Sequence, residues 1–119
     1  MLQRALPEED LSAVNNFLGA LQPFFDLKGT LPARSIHAFL LVALEEGLSV
    51  GAYAERAGIS TSTMSRNLLD IGDRNRHMEE GFKLVTSRNN RMNLREKEYF
   101  LTDKGRALIH QIKRQLRRG

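Results

Sequence analysis

Cysteine and tryptophan are absent from the 119 residues, and proline occurs only three times. Without a thiol there is no disulfide framework, no thiolate nucleophile and no cysteine-ligated zinc, and the composition fits a reducing, cytoplasmic compartment. Long hydrophobic runs are missing too. The longest, residues 38–44, falls far short of the ~18 apolar residues that would suggest a membrane span, so no membrane contact is expected. The N-terminal stretch turns acidic at Glu8, Glu9 and Asp10 before an apolar segment of signal-peptide length forms, and export is not expected. His37, His77 and His110 stand far apart without clustered carboxylates, which predicts neither a metal nor a cofactor. No glycine-rich phosphate loop, nucleophile elbow or positioned carboxylate pair occurs. Glu79 and Glu80 are neighbours, and neighbouring side chains do not face one common site. An enzyme is therefore not expected.

What is present is an ordinary globular composition, with 41% hydrophobic and 27% charged residues, and a length that suits a single domain. The net charge of +4 conceals an asymmetry. Residues 1–50 carry Arg4, Lys28 and Arg34 against Glu8, Glu9, Asp10, Asp26, Glu45 and Glu46, whereas the remainder holds 15 basic against 8 acidic side chains. Positive charge concentrated on one half is the footprint that a phosphate backbone requires.

Apolar periodicity predicts an N-terminal helix over residues 7–22, with Pro7 and three carboxylates favouring its start and Pro23 stopping it. Leu11, Val14, Leu18 and Leu21, with Phe17 beside them, form its stripe. A core helix over 33–46 is apolar nearly all round. Residues 49–72 read as two short helices, each with a serine N-cap, Ser49 and Ser60, and with Gly58 ending the first. Val50, Ala54 and Ala57 give the first a small-residue inner face. In the second, Met64, Leu68 and Ile71 fall together inward, while Ser62 and Arg66 lie nearly opposite, flanked by Thr63 and Ser65.

Residues 73–81 are irregular and charged, compatible with a helical extension or a loop. Over 82–101 a hairpin is expected, with strands at 82–86 and 95–101 and an asparagine-rich tip between them. A final helix over 103–117, capped by Thr102, turns Leu108, Ile109, Ile112 and Leu116 inward and ends in Lys113, Arg114, Arg117 and Arg118. The fold class is thus mainly α with a small β-hairpin wing, a winged helix-turn-helix spanning 1–119 as one domain.

Two stretches carry a family resemblance: residues 53–66, from Tyr53 through Ala57-Gly58-Ile59-Ser60 to Arg66, and Leu101-Thr102-Asp103-Lys104-Gly105-Arg106-Ala107-Leu108. Together they resemble the winged-helix regulators of the multiple-antibiotic-resistance repressor (MarR) family, over roughly residues 33–112. The resemblance implies a homodimer that sets one recognition helix per subunit in successive major grooves of double-stranded DNA, with the wings on phosphates or minor grooves. It makes Thr61, Ser62, Thr63, Ser65, Arg66 and Asn67 the groove-facing candidates and Arg88, Asn89, Asn90 and Arg91 the wing candidates. Arginine can take guanine bidentately, asparagine can pair with adenine, and hydroxyls reach phosphates or base edges. The same hydroxyls could equally serve only as helix caps. Lys104, Arg106 or the terminal arginines are further backbone-contact candidates.

The sequence departs from the family at three points. Residues 73–81 exceed the usual link between recognition helix and wing. The tip lacks the acidic residue that braces an arginine, which predicts mobile guanidinium groups. The chain also stops soon after Leu116, before the longer dimerising helices of typical members, so the stripe of Leu11, Val14, Phe17, Leu18 and Leu21 with the last helix becomes the candidate dimer surface, unless it packs on its own core.

The expectation is a sequence-specific DNA-binding transcription regulator. The alternatives are a replication or phage and plasmid maintenance factor on the same fold, or a protein-interaction module such as an antirepressor. The family also makes a small-molecule effector possible, and nothing in the residues identifies it.

Overall fold

Ser49, Ser60 and Thr102 each start a helix in the computed structural model, their side-chain oxygens accepting from the backbone N–H groups of Ala52, Thr63 and Gly105 at 3.2, 3.1 and 3.0 Å. The structure describes residues 6–27, 29–74, 77–93 and 95–118, without the side chains of Arg117 and Arg118. Expectations touching residues 1–5, Lys28, Asn75, Arg76, Leu94 and those two arginine side chains lie outside the described residues.

The elements run α1 (Glu8–Phe25), α2 (Ala33–Leu44), α3 (Val50–Ala57), α4 (Thr61–Asp70), β1 (Val85–Asn89), β2 (Lys97–Leu101) and α5 (Asp103–Arg118). Among the described residues, five helices and one antiparallel hairpin make the α+β winged helix-turn-helix anticipated from the sequence. No helix among the described residues is long and apolar enough to cross a membrane.

Two compact units emerge. The larger, Leu31–Ala107, contains the helix-turn-helix and the hairpin. Its core gathers Ala38, Phe39 and Val42 from α2, Tyr53 and Ala54 from α3, Met64 and Leu68 from α4, and Ile71, Leu84 and Val85 beyond it. The inward set of α4 matches its predicted spacing, whereas on α3 the largest buried side chain is Tyr53. Its hydroxyl donates to the Glu45 carbonyl at 2.8 Å and accepts from the Leu48 N–H at 3.2 Å, which lets a polar group sit in the core. Burial pushes the Tyr53 hydroxyl above its ordinary pKa of 10.0.

The hairpin is built differently from the expectation. β1 begins at Val85 because the three residues before it are committed elsewhere: the N–H groups of Phe82, Lys83 and Leu84 bond to the carbonyls of Asp70, Gly72 and Ile71. Pairing runs from Val85 opposite Leu101 to Asn89 opposite Lys97, so Ser87, Arg88 and Asn89 are strand residues and not the tip. On its other edge β2 is bonded through Tyr99 to the Gly47 N–H at 2.7 Å and the Leu48 carbonyl at 3.2 Å. Gly47 takes φ 89° under the Phe100 ring, a left-handed conformation suited to glycine.

The start of α5 is locked to the segment just before β1. Thr102 donates through its N–H and hydroxyl to the carbonyls of Leu84 and Lys83 at 3.0 and 2.6 Å. A Cβ on Gly105 would lie 2.2 Å from the Leu84 carbonyl oxygen, so only glycine fits.

The smaller unit comprises Met1–Thr30 and Leu108–Gly119. Here α1 continues through Pro23 to Phe25, where a stop at Pro23 was expected. Pro23 and Phe24 are buried, and the apolar burial of this last turn offsets the hydrogen bond that proline cannot make. The remaining stripe is not consumed by the unit: Leu11, Val14, Phe17 and Leu18 are all exposed, Phe17 by 66%, as is Leu116 of α5.

Candidate nucleic-acid interface

The sequence Thr61-Ser62-Thr63-Met64-Ser65-Arg66 folds α4 so that one face is core and the other is short-chained and polar. Thr61, Ser62 and Arg66 are exposed, and Thr63 and Ser65 are half-buried. The Arg66 guanidinium has no ion-pair or hydrogen-bond partner among the described residues. The hydroxyls at the front of the helix are partly occupied. Ser60 Oγ donates to Thr63 Oγ1 at 2.8 Å and lies 3.2 Å from Ser62 Oγ, so this cluster caps the helix as well as facing outward.

Asn67 does not join this surface. Three residues on from Met64, it turns inward, and only 9% of it is exposed. Its Nδ2 has no hydrogen-bond partner among the described residues. A buried amide cannot read a base edge, so the groove-facing expectation for Asn67 is corrected.

On the hairpin, Arg88 projects from β1 beside its register partner Glu98, with Nε 3.5 Å from Oε2, and its guanidinium lies 4.3 Å from the centre of the Phe100 ring. Glu98 and Phe100, two apart on β2, share the face of Arg88. The acidic partner missing from the tip is therefore supplied across the strands by Glu98, beside an Arg88 side chain that stays 70% exposed. Asn89, opposite Lys97, is exposed. Asn90 is a turn residue: its Oδ1 accepts from the N–H groups of Met92 and Asn93 at 2.8 and 3.2 Å, which fixes the bend. Arg91 is exposed and has no partner among the described residues.

Of the further candidates, Lys104 is exposed beside Glu80. Arg106 is committed within the protein, donating to both oxygens of Glu46 at 2.9 and 3.1 Å. Glu46 Oε1 also accepts the Leu101 N–H at 2.7 Å, joining the end of α2 to the last residue of the hairpin. Neither Glu46 nor the pair Glu98 and Phe100 was singled out from sequence. Glu98 becomes visible only once the true register of β1 is known, and Glu46 is 60 residues from its arginine.

Residues 73–74 and 77–81 are not helical, so no helical extension is found there among the described residues. The Gly81 N–H donates to the Asp73 carbonyl at 2.8 Å, Arg74 and Glu80 make an isolated bridge, and Lys83 pairs with Glu80 at 2.9 Å. That hydrogen bond and charge hold the Glu80 carboxyl below its ordinary pKa and lift the Lys83 ammonium above its own. Among the described residues no three histidine, aspartate or glutamate side chains are grouped so as to hold a metal ion.

No family model and no curated protein matches the sequence. Solved structures match it in fold. A MarR-family transcription regulator superposes with a TM-score of 0.61 at 19% identity, over 88% of this chain and 60% of that one. The S. aureus MepR-DNA complex gives a TM-score of 0.68 at 15% identity, over 92% and 80%. A MarR transcriptional regulator from Methanosarcina mazei gives 0.64 at 14% identity, over 89% and 69%. The chain thus spans 60% of the length of the first of these proteins. The fold is the winged helix-turn-helix of the MarR-family regulators, and the resemblance read from the two motifs holds at that level.

Proposed function

We propose that the protein is a sequence-specific double-stranded DNA-binding transcription regulator. The observation that carries this reading is Arg66, an exposed and unpaired guanidinium in the middle of the polar, short-chained face of α4. A helix of this kind fits the major groove, where arginine is the commonest reader of guanine. Thr61, Ser62, Thr63 and Ser65 flank it, and Arg91 with Asn89 offers the hairpin's contact to backbone or minor groove. The concentration of basic residues after position 50 supplies attraction to phosphate. MepR, which shares the fold, is bound to DNA in its crystal structure, an analogy that raises the reading without replacing the site argument.

The functional unit in this proposal is a homodimer joined through the exposed apolar stripe of α1, with Leu116 of α5 adding to it. Apolar side chains left exposed in a row mark an association surface. Such a dimer acts in the cytoplasm by occupying an operator whose half-sites are about one helical turn apart.

The test is a gel shift on genomic fragments at two salt concentrations, followed by selection of bound duplexes from a random pool. Affinity that falls steeply with salt and a palindromic consensus are the expected results. Absence of duplex binding at low salt overturns the proposal and points to the protein-interaction alternative.

A further inference from the structure

Met92, at the tip of the hairpin, is 95% exposed, more than any other large apolar side chain among the described residues. Its main chain is nonetheless fixed. The Met92 N–H donates to Asn90 Oδ1 at 2.8 Å, and the Asn90 N–H donates to the Glu96 carbonyl at 2.8 Å, continuing the pairing of the two strands. Arg91 before it and Arg95 after it are exposed, and the Arg95 N–H donates to Asn93 Oδ1 at 3.1 Å. The tip therefore offers one unbranched apolar side chain flanked in sequence by two cations.

An apolar side chain so placed gains free energy by leaving water, and the cations beside it favour an occupant bordered by anions. The minor groove of a duplex meets both demands. Phosphates border it, and at about 6 Å wide it is too narrow for a helix yet admits a single side chain. Methionine, unbranched and flexible, is among the apolar side chains that enter it. The floor of the groove then sets the sequence preference. A·T and G·C pairs both carry acceptors there, and G·C adds the guanine N2 amino donor. A thioether is a weak acceptor, so its contact would strip that donor of water without replacing the bond, a cost that an A·T pair does not incur.

We propose that Met92 enters the minor groove flanking the α4 contact, with Arg91 and Arg95 on the bordering phosphates, and that it selects A·T over G·C pairs there. The inference rests on the DNA-binding reading and adds to it a specificity-determining residue that reads the groove floor without a strong hydrogen bond. Arg91 and Arg95 supply affinity on every sequence, whereas Met92 supplies the discrimination.

The experiment titrates the full chain, at low salt, with a short G·C-rich duplex and with its counterpart carrying inosine in place of guanine. Inosine lacks the N2 amino group and keeps the major-groove edge of guanine, so whatever α4 reads is held constant. Wild type binds the inosine duplex more tightly by roughly tenfold, the scale of discrimination at a single base pair. Met92→Leu keeps this preference and Met92→Ala loses it, and at so exposed a position neither disturbs the fold. A second readout does not depend on affinity. Hydrogen peroxide converts the thioether to the sulfoxide with release of water, and bound duplex slows this reaction at Met92, followed by peptide mass, but not at Met78, which is 73% exposed before the hairpin. Equal affinity of wild type for the two duplexes, a preference that survives in Met92→Ala, or Met92 oxidation unslowed by bound duplex overturns the inference and leaves DNA binding standing. Failure of wild type to bind either duplex overturns the DNA-binding reading, and this inference with it.

Discussion

Glu46 and Arg106 form a two-pronged pair at 2.9 and 3.1 Å while Glu46 Oε1 also holds the Leu101 N–H at 2.7 Å, so one carboxylate ties the turn after α2, the hairpin and α5 together. Arg106 is 54% exposed, and a pair so open to solvent contributes under ~1 kcal/mol by itself. The backbone N–H is the greater loss when the carboxylate goes. Glu46→Ala is expected to lower stability by about 1–3 kcal/mol and Arg106→Ala by less than ~1, both read from urea unfolding midpoints. In DNA titrations Arg106→Ala should leave the salt dependence as in wild type, because that guanidinium is already engaged.

Gly105→Ala should be far more damaging. The new Cβ would sit 2.2 Å from the Leu84 carbonyl oxygen and 3.3 Å from the Phe39 ring, so backbone must move at the junction of hairpin and helix. A loss above ~3 kcal/mol is expected. A thermal transition close to that of wild type would contradict this.

The proposed recognition surface separates its residues by readout. Arg66→Ala should cost roughly 1–3 kcal/mol on a cognate duplex and relax preference at one base position. Arg91→Ala should weaken all duplexes alike and reduce the slope of log affinity against log salt by about one. Asn67→Ala, at a buried position, should change unfolding and leave base preference intact.

Arg88 is expected to behave differently from Arg91. With Glu98 and Phe100 holding it, Arg88→Ala removes an exposed ion pair and a ring contact together, worth about 0.5–1.5 kcal/mol of stability. Glu98→Gln should release the guanidinium and raise affinity for random duplex at low salt. Equal random-duplex affinity in wild type and Glu98→Gln would show that the brace does not restrain DNA contact.

The two tyrosines, Tyr53 and Tyr99, are the whole tyrosine content, and burial raises both hydroxyls above their ordinary 10.0. The folded chain therefore keeps protons that the unfolded chain releases near pH 10. This contribution to stability is complete below that pH and lost as pH rises through the folded values. Tyrosinate absorbance should consequently appear above pH 10 in native protein and near 10 in urea. Tyr53→Phe should flatten the alkaline fall in stability.

Much of the helical frame was legible because its signals are local. Three hydroxyl caps and the glycine after α3 stand where the apolar period breaks, and each terminus follows from a few neighbouring residues. The apolar positions Met64, Leu68 and Ile71 likewise give the inner face of α4 from spacing alone. What remained hidden depends on partners distant in sequence. The run from Phe82 to Leu84 looks like strand, yet its N–H groups bond to the end of α4, and that shift moves Arg88 from the tip to a braced strand position. The Leu-Thr-x-x-Gly-Arg motif was read as a family mark. Its residues prove to have structural tasks, with Thr102 capping α5, Gly105 admitting the Leu84 carbonyl and Arg106 clamping Glu46.

Because Gly47 and Leu48 occupy the outer side of β2 through Tyr99, the small sheet presents, among the described residues, one open edge, that of β1. Along it run Thr86, Ser87, Arg88 and Asn89, polar side chains beside which another protein's strand would gain little apolar contact. A strand added at that edge would therefore gain backbone hydrogen bonds with little apolar burial beside them.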